Sequence, residues 1–227
     1  MADGKAARMT APLTLKHEER ELIPGETFEA LLFDMDGTLL TSIGASERVW
    51  GRWARQFGLN ARDFLPHCHG MRVAEVVASL RLPGVNPLHE AQLILEAELA
   101  DVAGVEAIAG APAFLSSLPP GRWAIVTSAP RVLALRRLAV AGLPIPATLI
   151  TAEDVTAGKP DPACYLMAAA RLGARAERCA VFEDAPAGIA AGEAAGCKVI
   201  TVGQQHQPHA AQRRPSIRDY RQLTASI

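Results

Sequence analysis

The sequence predicts an α/β protein: a Rossmann-like doubly wound parallel sheet with an inserted α-helical unit. Three observations carry that expectation. Short apolar runs (Ala30–Phe33, Trp123–Val126 and Cys179–Phe182) each end in polar residues and lead towards a helical stretch, as buried parallel strands do. From Pro112 to Val202, helix-like and strand-like segments alternate. Between residues 42 and 107 the alternation stops and only helical spacing is found. The expected organisation is an N-terminal extension over 1–27, a core built from 28–41 and 108–227, and a helical cap over 42–107.

Taken in order, the first 27 residues mix charges (Lys16, His17, Glu18, Glu19, Arg20, Glu21) and lack the apolar centre of a secretion signal. They read as a loosely ordered tail with one helical turn. The strand Ala30–Phe33 then runs into Asp34-Met35-Asp36-Gly37. Two carboxylates one residue apart repel each other. A metal ion, or a division of labour between a nucleophile and an acid/base, would explain the pair; a solvated Asp-x-Asp-Gly turn is the plain alternative. Past Ser42, Val49, Trp50, Trp53, Ala54 and Phe57 recur at helical spacing up to Gly58. Val73, Val76, Val77 and Leu80 mark a second helix. Residues 88–102 mark a third, with Leu93, Leu95, Leu99 and Val102 on its apolar side. An insert that leaves the carboxyl end of the first strand sits over the acids, as a lid does.

Trp123–Val126 closes on Thr127-Ser128, and Pro130 suits the start of a helix over Arg131–Val140. Hydroxyls between a strand end and a helix start can hold an anion, or simply cap the helix. Gly158-Lys159-Pro160-Asp161-Pro162 puts one of only four lysines in a stiff loop, in a chain whose positive charge is otherwise mostly arginine. A compact ammonium suits a crowded phosphate site. The stretch is no P-loop, because Pro160 replaces the required Ser/Thr and no glycine stands five residues before Gly158. Cys179–Phe182 leads to a second acid pair, Glu183-Asp184, and then to a helix from about Pro186. Acids at a parallel strand's end suggest oxygen ligands for Mg²⁺; an acidic helix cap is the alternative.

The order acid pair, hydroxyl, lysine, acid pair resembles the four motifs of the haloacid dehalogenase-like hydrolase superfamily, carried by Asp34-Met35-Asp36-Gly37-Thr38, Thr127-Ser128, Lys159 and Glu183-Asp184. The resemblance spans roughly residues 28–202. It is strongest to small sugar- and polyol-phosphate phosphatases, including glycerol-phosphate, hexitol-phosphate and deoxysugar-phosphate phosphatases, through Glu47-Arg48-Val49-Trp50, His69-Gly70-Met71-Arg72, 150–155 and 182–197. The resemblance implies Asp34 as nucleophile, Asp36 as general acid/base, and Thr127 or Ser128 with Lys159 on the phosphate. It implies Mg²⁺ on Asp34, Asp36 (through its backbone carbonyl) and Asp184, with Glu183 as a further or outer ligand. It points to Glu47, His69 and Arg72 of the insert as readers of the substrate. Ser46 stands where related phosphomutases carry a cap histidine, and Thr41 where many capped relatives carry an acid. Both favour a phosphatase over a sugar phosphomutase. A receiver-like phospho-Asp signalling module is the alternative of another class, and it has no use for Asp36 or a cap.

Composition bounds the rest. The net charge of −1 argues against nucleic acid as a partner. No apolar run of 18 residues predicts a membrane span. Cys68, Cys164, Cys179 and Cys197 are scattered with no C-x-x-C, which reads as reduced, mostly buried thiols in a cytoplasmic protein. The expected state is a monomer or weak homodimer acting on a small phosphorylated sugar or polyol.

Overall fold

The structure is a computed structural model that describes residues 11–203 and 214–227, apart from the side chains of His67 and Cys68. In chain order the elements are β1 (Thr14–His17), β2 (Arg20–Glu21), β3 (Ala30–Phe33), β4 (Leu40–Thr41), α1 (Ile43–Gln56), α2 (Leu65–Cys68), α3 (Val73–Ser79), α4 (Pro87–Ala100), β5 (Glu106–Ala107), α5 (Ala111–Ser117), β6 (Trp123–Val126), α6 (Arg131–Val140), β7 (Thr148–Ile150), α7 (Ala163–Arg171), β8 (Cys179–Glu183), α8 (Pro186–Ala194), β9 (Lys198–Val202), β10 (Ser216–Ile217) and β11 (Leu223–Ser226).

Six strands form one parallel sheet in the order β10-β9-β8-β3-β6-β7. The three central strands β8, β3 and β6 are buried at every position. That explains why they are written as unbroken apolar runs rather than alternating ones. One face packs around Phe33, Phe114, Phe182 and Tyr220, with Phe33 and Phe182 stacked at 4.6 Å. The other packs around Leu32, Val126, Val181 and the small-residue faces of α7 and α8. Register decides where the chemistry falls. Phe33 pairs with Ile125 on one side and with Phe182 on the other. Asp34, just past β3, therefore stands level with Val126 and Glu183, the last residues of β6 and β8, at the carboxyl edge of the sheet.

Between β4 and β5 the chain is helical, and α1, α3 and α4 close on a cluster of their own: Val49, Trp50, Trp53, Val76, Val77 and Ile94. Trp50 and Trp53 meet edge to face at 5.4 Å. The apolar side expected for α4 is corrected here. Leu93 is 44 % and Leu88 74 % exposed, while Ile94 and Glu98 are buried. Periodicity alone misplaced the stripe by about one residue, because an acid within it reads as surface.

The reading of the N-terminal extension is also corrected over its described part. Residues 14–17 are strand, not a loose tail or helical turn, and pair antiparallel with β11 (Thr14 opposite Ser226) and with β2. Leu13 and Leu15 are buried in the main core. Glu18 and Glu19 make the hairpin turn with φ of 50° and 64°. Such a turn favours Asn or Gly, so a Glu-Glu pair gave no signal of it. Residues 1–10 lie outside the described part. Cys164, Cys179 and Cys197 are free and buried, and Cys68 lies outside the described side chains. No helix among the described residues is long and apolar enough to cross a membrane.

Candidate active site

Asp34 is 4 % exposed and takes its backbone bond from β8, N–H to the Phe182 carbonyl at 3.0 Å. Gly37 has φ 90°, and its amide returns to the Leu40 carbonyl at 2.7 Å. A Cβ on Gly37 would collide with the Asp184 carboxylate. Glycine is required there both for the turn and for the approach of the two motifs. Thr38 donates its hydroxyl to Asp184 Oδ1 at 3.0 Å.

Lys159 is buried at 2 % exposure, and its ammonium gives three bonds: to Asp34 Oδ1 at 2.6 Å, Glu183 Oε1 at 2.8 Å and the Val126 carbonyl at 3.1 Å. All three of its donors are thereby used, and the Tyr165 ring lies 5.0 Å from the nitrogen. Burial disfavours the ammonium, but the two carboxylates outweigh it and raise the Lys159 pKa. Glu183 accepts from Lys159 and Tyr165 on Oε1 and from the amides of Asp184 and Ala185 on Oε2. Four bonds fill a carboxylate's acceptor sites, so Glu183 serves to hold the lysine. A Cβ on Gly188 would strike the Glu183 side chain, so this packing also depends on a glycine.

Carboxylate oxygens of Asp34, Glu183 and Asp184 lie within 4.8 Å of one another, against the single ammonium. Burial, then the charge of Glu183, pushes Asp34 well above the usual carboxylate range. The same causes push Asp184 up to about 7. Such an excess of buried negative charge calls for a cation, and hard oxygen donors suit Mg²⁺. The donor set fits the ion. The Asp36 carboxylate is not part of it. That side chain turns away, and its Oδ1 accepts from Ser42 Oγ at 2.6 Å and Arg137 Nη1 at 2.9 Å.

The other sequence candidates divide. Thr127 is 5 % exposed at the cavity wall, and its hydroxyl oxygen accepts the Ala129 amide at 3.1 Å. Ser128 donates instead to the Gly70 carbonyl of the insert at 2.6 Å, which makes it a contact between core and insert. Glu47 and His69 are exposed side chains that line the same cavity of about 130 Å³ as Asp34, Asp36 and Asp184. Arg72 does not line it. Its guanidinium donates to the carbonyls of Val155 at 2.6 Å and Thr156 at 2.9 Å, just before the lysine loop. Neighbouring Glu75 accepts the Gly158 amide at 3.2 Å. The expected substrate reader is therefore a clasp between insert and loop.

Sequence reasoning missed Ser42, Arg137, Glu98 and Tyr165. Arg137 had a signal: it falls on the buried stripe of α6 with Leu133, Ala134 and Leu138, where helical phase leaves no room for an unpartnered charge.

A family model for haloacid dehalogenase-like hydrolases matches residues 28–196. The chain belongs to that family. Hexitol phosphatase A of Escherichia coli is 42 % identical over 184 residues, covering 77 % of this chain and 82 % of the relative. Glycerol-1-phosphate phosphohydrolase 2 of Saccharomyces cerevisiae is 35 % identical over 210 residues, 85 % of this chain and 77 % of the relative. The crystal structure of CbbY from Rhodobacter sphaeroides in complex with phosphate superposes with a TM-score of 0.74 at 20 % identity, covering 86 % of this chain and 95 % of that one, which shows the shared fold. This haloacid dehalogenase-like hydrolase is a phosphoric monoester hydrolase.

Proposed function

We propose that the protein is a Mg²⁺-dependent phosphatase of small sugar or polyol phosphates that works through an aspartyl-phosphate. The observation that carries the reading is the division between two neighbouring acids. Asp34 is held by Lys159 on the cavity floor, while Asp36 is held by Ser42 and Arg137 two residues on. Two carboxylates in different settings suit two roles.

Lys159 occupies Asp34 Oδ1, so Oδ2 attacks phosphorus and forms the acyl phosphate as the ester oxygen leaves. Asp36 gives its proton to that departing alkoxide. It then takes one from the water that hydrolyses the acyl phosphate, restoring Asp34 and releasing phosphate. The Thr127 hydroxyl binds a non-bridging oxygen, and the Lys159 ammonium, its three donors committed to Asp34, Glu183 and the Val126 carbonyl, adds positive charge beside Asp34, where charge has to be held through transfer. Asp34, Asp184 and the backbone carbonyl of Asp36 would hold the metal, with Glu183 outside them behind Lys159. Mg²⁺, when bound, offsets the repulsion between the Asp34 carboxylate and a phosphate dianion.

The insert supplies the leaving-group side. Apolar Trp50, Leu65, Met71 and Val76 line the cavity together with the polar Glu47 and His69, which suits a small ester that carries hydroxyls. The relatives named for hexitol and glycerol phosphates support that class. Phosphate release over a panel of polyol and hexose phosphates with Mg²⁺ tests the reading, with several-fold preference expected for short polyol esters. Isomerisation of a sugar bisphosphate without net phosphate release would replace it with a mutase.

A further inference from the structure

Arg137 takes no proton or phosphoryl group in the chemistry just described, yet it is a buried charge with three side-chain hydrogen bonds. It stands on core helix α6 at 5 % exposure. Nη1 donates to Asp36 Oδ1 at 2.9 Å. Nη2 donates to Glu98 Oε1 at 3.1 Å and to Ser46 Oγ at 3.2 Å. Ser46 in turn donates to Glu98 Oε1 at 2.9 Å. Glu98 is 4 % exposed and comes from α4, and Ser46 comes from α1, so both are residues of the insert. One guanidinium thus joins the acid/base to two insert helices.

A planar guanidinium fixes direction as well as charge, because its donors sit in a rigid fork. Two bonds on Asp36 Oδ1, from Ser42 and Arg137, lock the carboxyl plane and leave Oδ2 for the substrate. The fork's other arm is engaged by the insert. Were the insert to lift, Arg137 would lose its Glu98 and Ser46 partners together and its hold on Asp36 would lose its backing. Glu98 has no other evident use: a buried acid on an otherwise apolar helix face is costly unless it is paired.

We propose that Arg137 is the positioning residue of the acid/base Asp36, and that Glu98 makes this positioning depend on the seating of the helical insert over the site. The proposal rests on the phosphatase reading above. It gives Arg137 no contact with substrate. It distinguishes the insert's task here from that of Glu47 and His69, which only line the cavity.

The test is a comparison of phenyl phosphate with 4-nitrophenyl phosphate, esters of similar shape without sugar hydroxyls. Phenolate is the poorer leaving group and needs the proton from Asp36 more. The phenyl/nitrophenyl ratio of kcat/KM is expected to fall about tenfold in Arg137→Met, less than the roughly 10²–10⁴-fold of losing the acid/base itself, because Asp36 is still present but no longer oriented. It should be partly restored in Arg137→Lys and fall a few-fold in Glu98→Gln. Glu98→Gln added to Arg137→Met should change the ratio no further, since Glu98 acts through the arginine. A wild-type ratio in Arg137→Met overturns the proposal, as do equal losses on both esters, which would make Arg137 a phosphate or fold residue. Independent, additive effects of the two substitutions overturn it as well. If Arg137→Met does not fold, an unchanged ratio in folded Glu98→Gln overturns it equally. Absence of wild-type turnover of either ester would instead break the phosphatase reading on which the proposal stands.

Discussion

Two buried cations organise this site, and each is wedged between one aspartate of the first motif and one buried glutamate. Lys159 holds Asp34 and Glu183; Arg137 holds Asp36 and Glu98. The difference lies in where the glutamate comes from. Glu183 ends strand β8 of the central sheet, so the setting of Asp34 is complete within the core. Glu98 belongs to α4 of the insert, so the setting of Asp36 is complete only with the insert in place. On the proposed mechanism, attack on phosphorus and protonation of the leaving group thus have different structural dependences in one small cavity.

The strongest way to break the comparison is to disable the core half. Asp34→Asn should abolish phosphate release, because an amide is a very poor nucleophile; retention of wild-type turnover would end the covalent mechanism. Removal of divalent ions with EDTA should do the same and Mg²⁺ should restore turnover, whereas Ca²⁺, with its looser coordination, should restore little. Full activity in EDTA would refute the assignment of Asp34 and Asp184 as ligands. On the other half, Asp36→Asn should cost about 10²–10⁴-fold in kcat on an alkyl phosphate, with metal binding measured by calorimetry largely kept, since only its backbone carbonyl is assigned to the ion.

Smaller effects separate the two kinds of insert residue. His69→Ala should lower kcat/KM for a polyol phosphate about tenfold and for 4-nitrophenyl phosphate less, as for a lost hydrogen bond to the leaving group. Arg72→Ala should weaken both esters alike, because its bonds to the Val155 and Thr156 carbonyls steady the loop of Lys159 rather than touch substrate. A polyol-specific loss in Arg72→Ala would return it to the role expected from sequence.

The smallest effect is on stability. Asp184 titrates near 7 in the fold against an ordinary value of 3.8. Between those values the folded protein holds a proton that the unfolded chain has released. Metal-free stability should therefore fall as pH rises from about 4 to about 7. The gain in Tm on adding Mg²⁺ should grow over the same interval. Thermal melts at both ends, with and without the ion, check the sign.

The core half of the site was legible because strands buried on both faces are written as apolar runs, and the residues just past the end of such a run stand at the sheet's ligand-binding edge. Asp34, Thr127 and Glu183 all obey that rule, and the prolines at 130, 162 and 186 marked where helices begin. The insert half was not legible for matching reasons. Arg137's place on the buried stripe of α6 marked it as a paired charge, but its partner Glu98 stands on another helix, and no single helix pattern contains that pairing. Arg72 donates to main-chain carbonyls, and a carbonyl has no identity in a sequence. The first strand was hidden by a Glu-Glu turn and by a partner at the opposite end of the chain.

That partnership has its own consequence for how the molecule is made. β1 is synthesised well before its partner β11, with Thr14 opposite Ser226 and the whole parallel sheet between them in sequence. Until then Leu13 and Leu15, buried in the finished protein, have no β11 strand beside them. Pairings between segments this far apart in sequence are slow to form, so the finished core is clasped only when β1 and β11 meet.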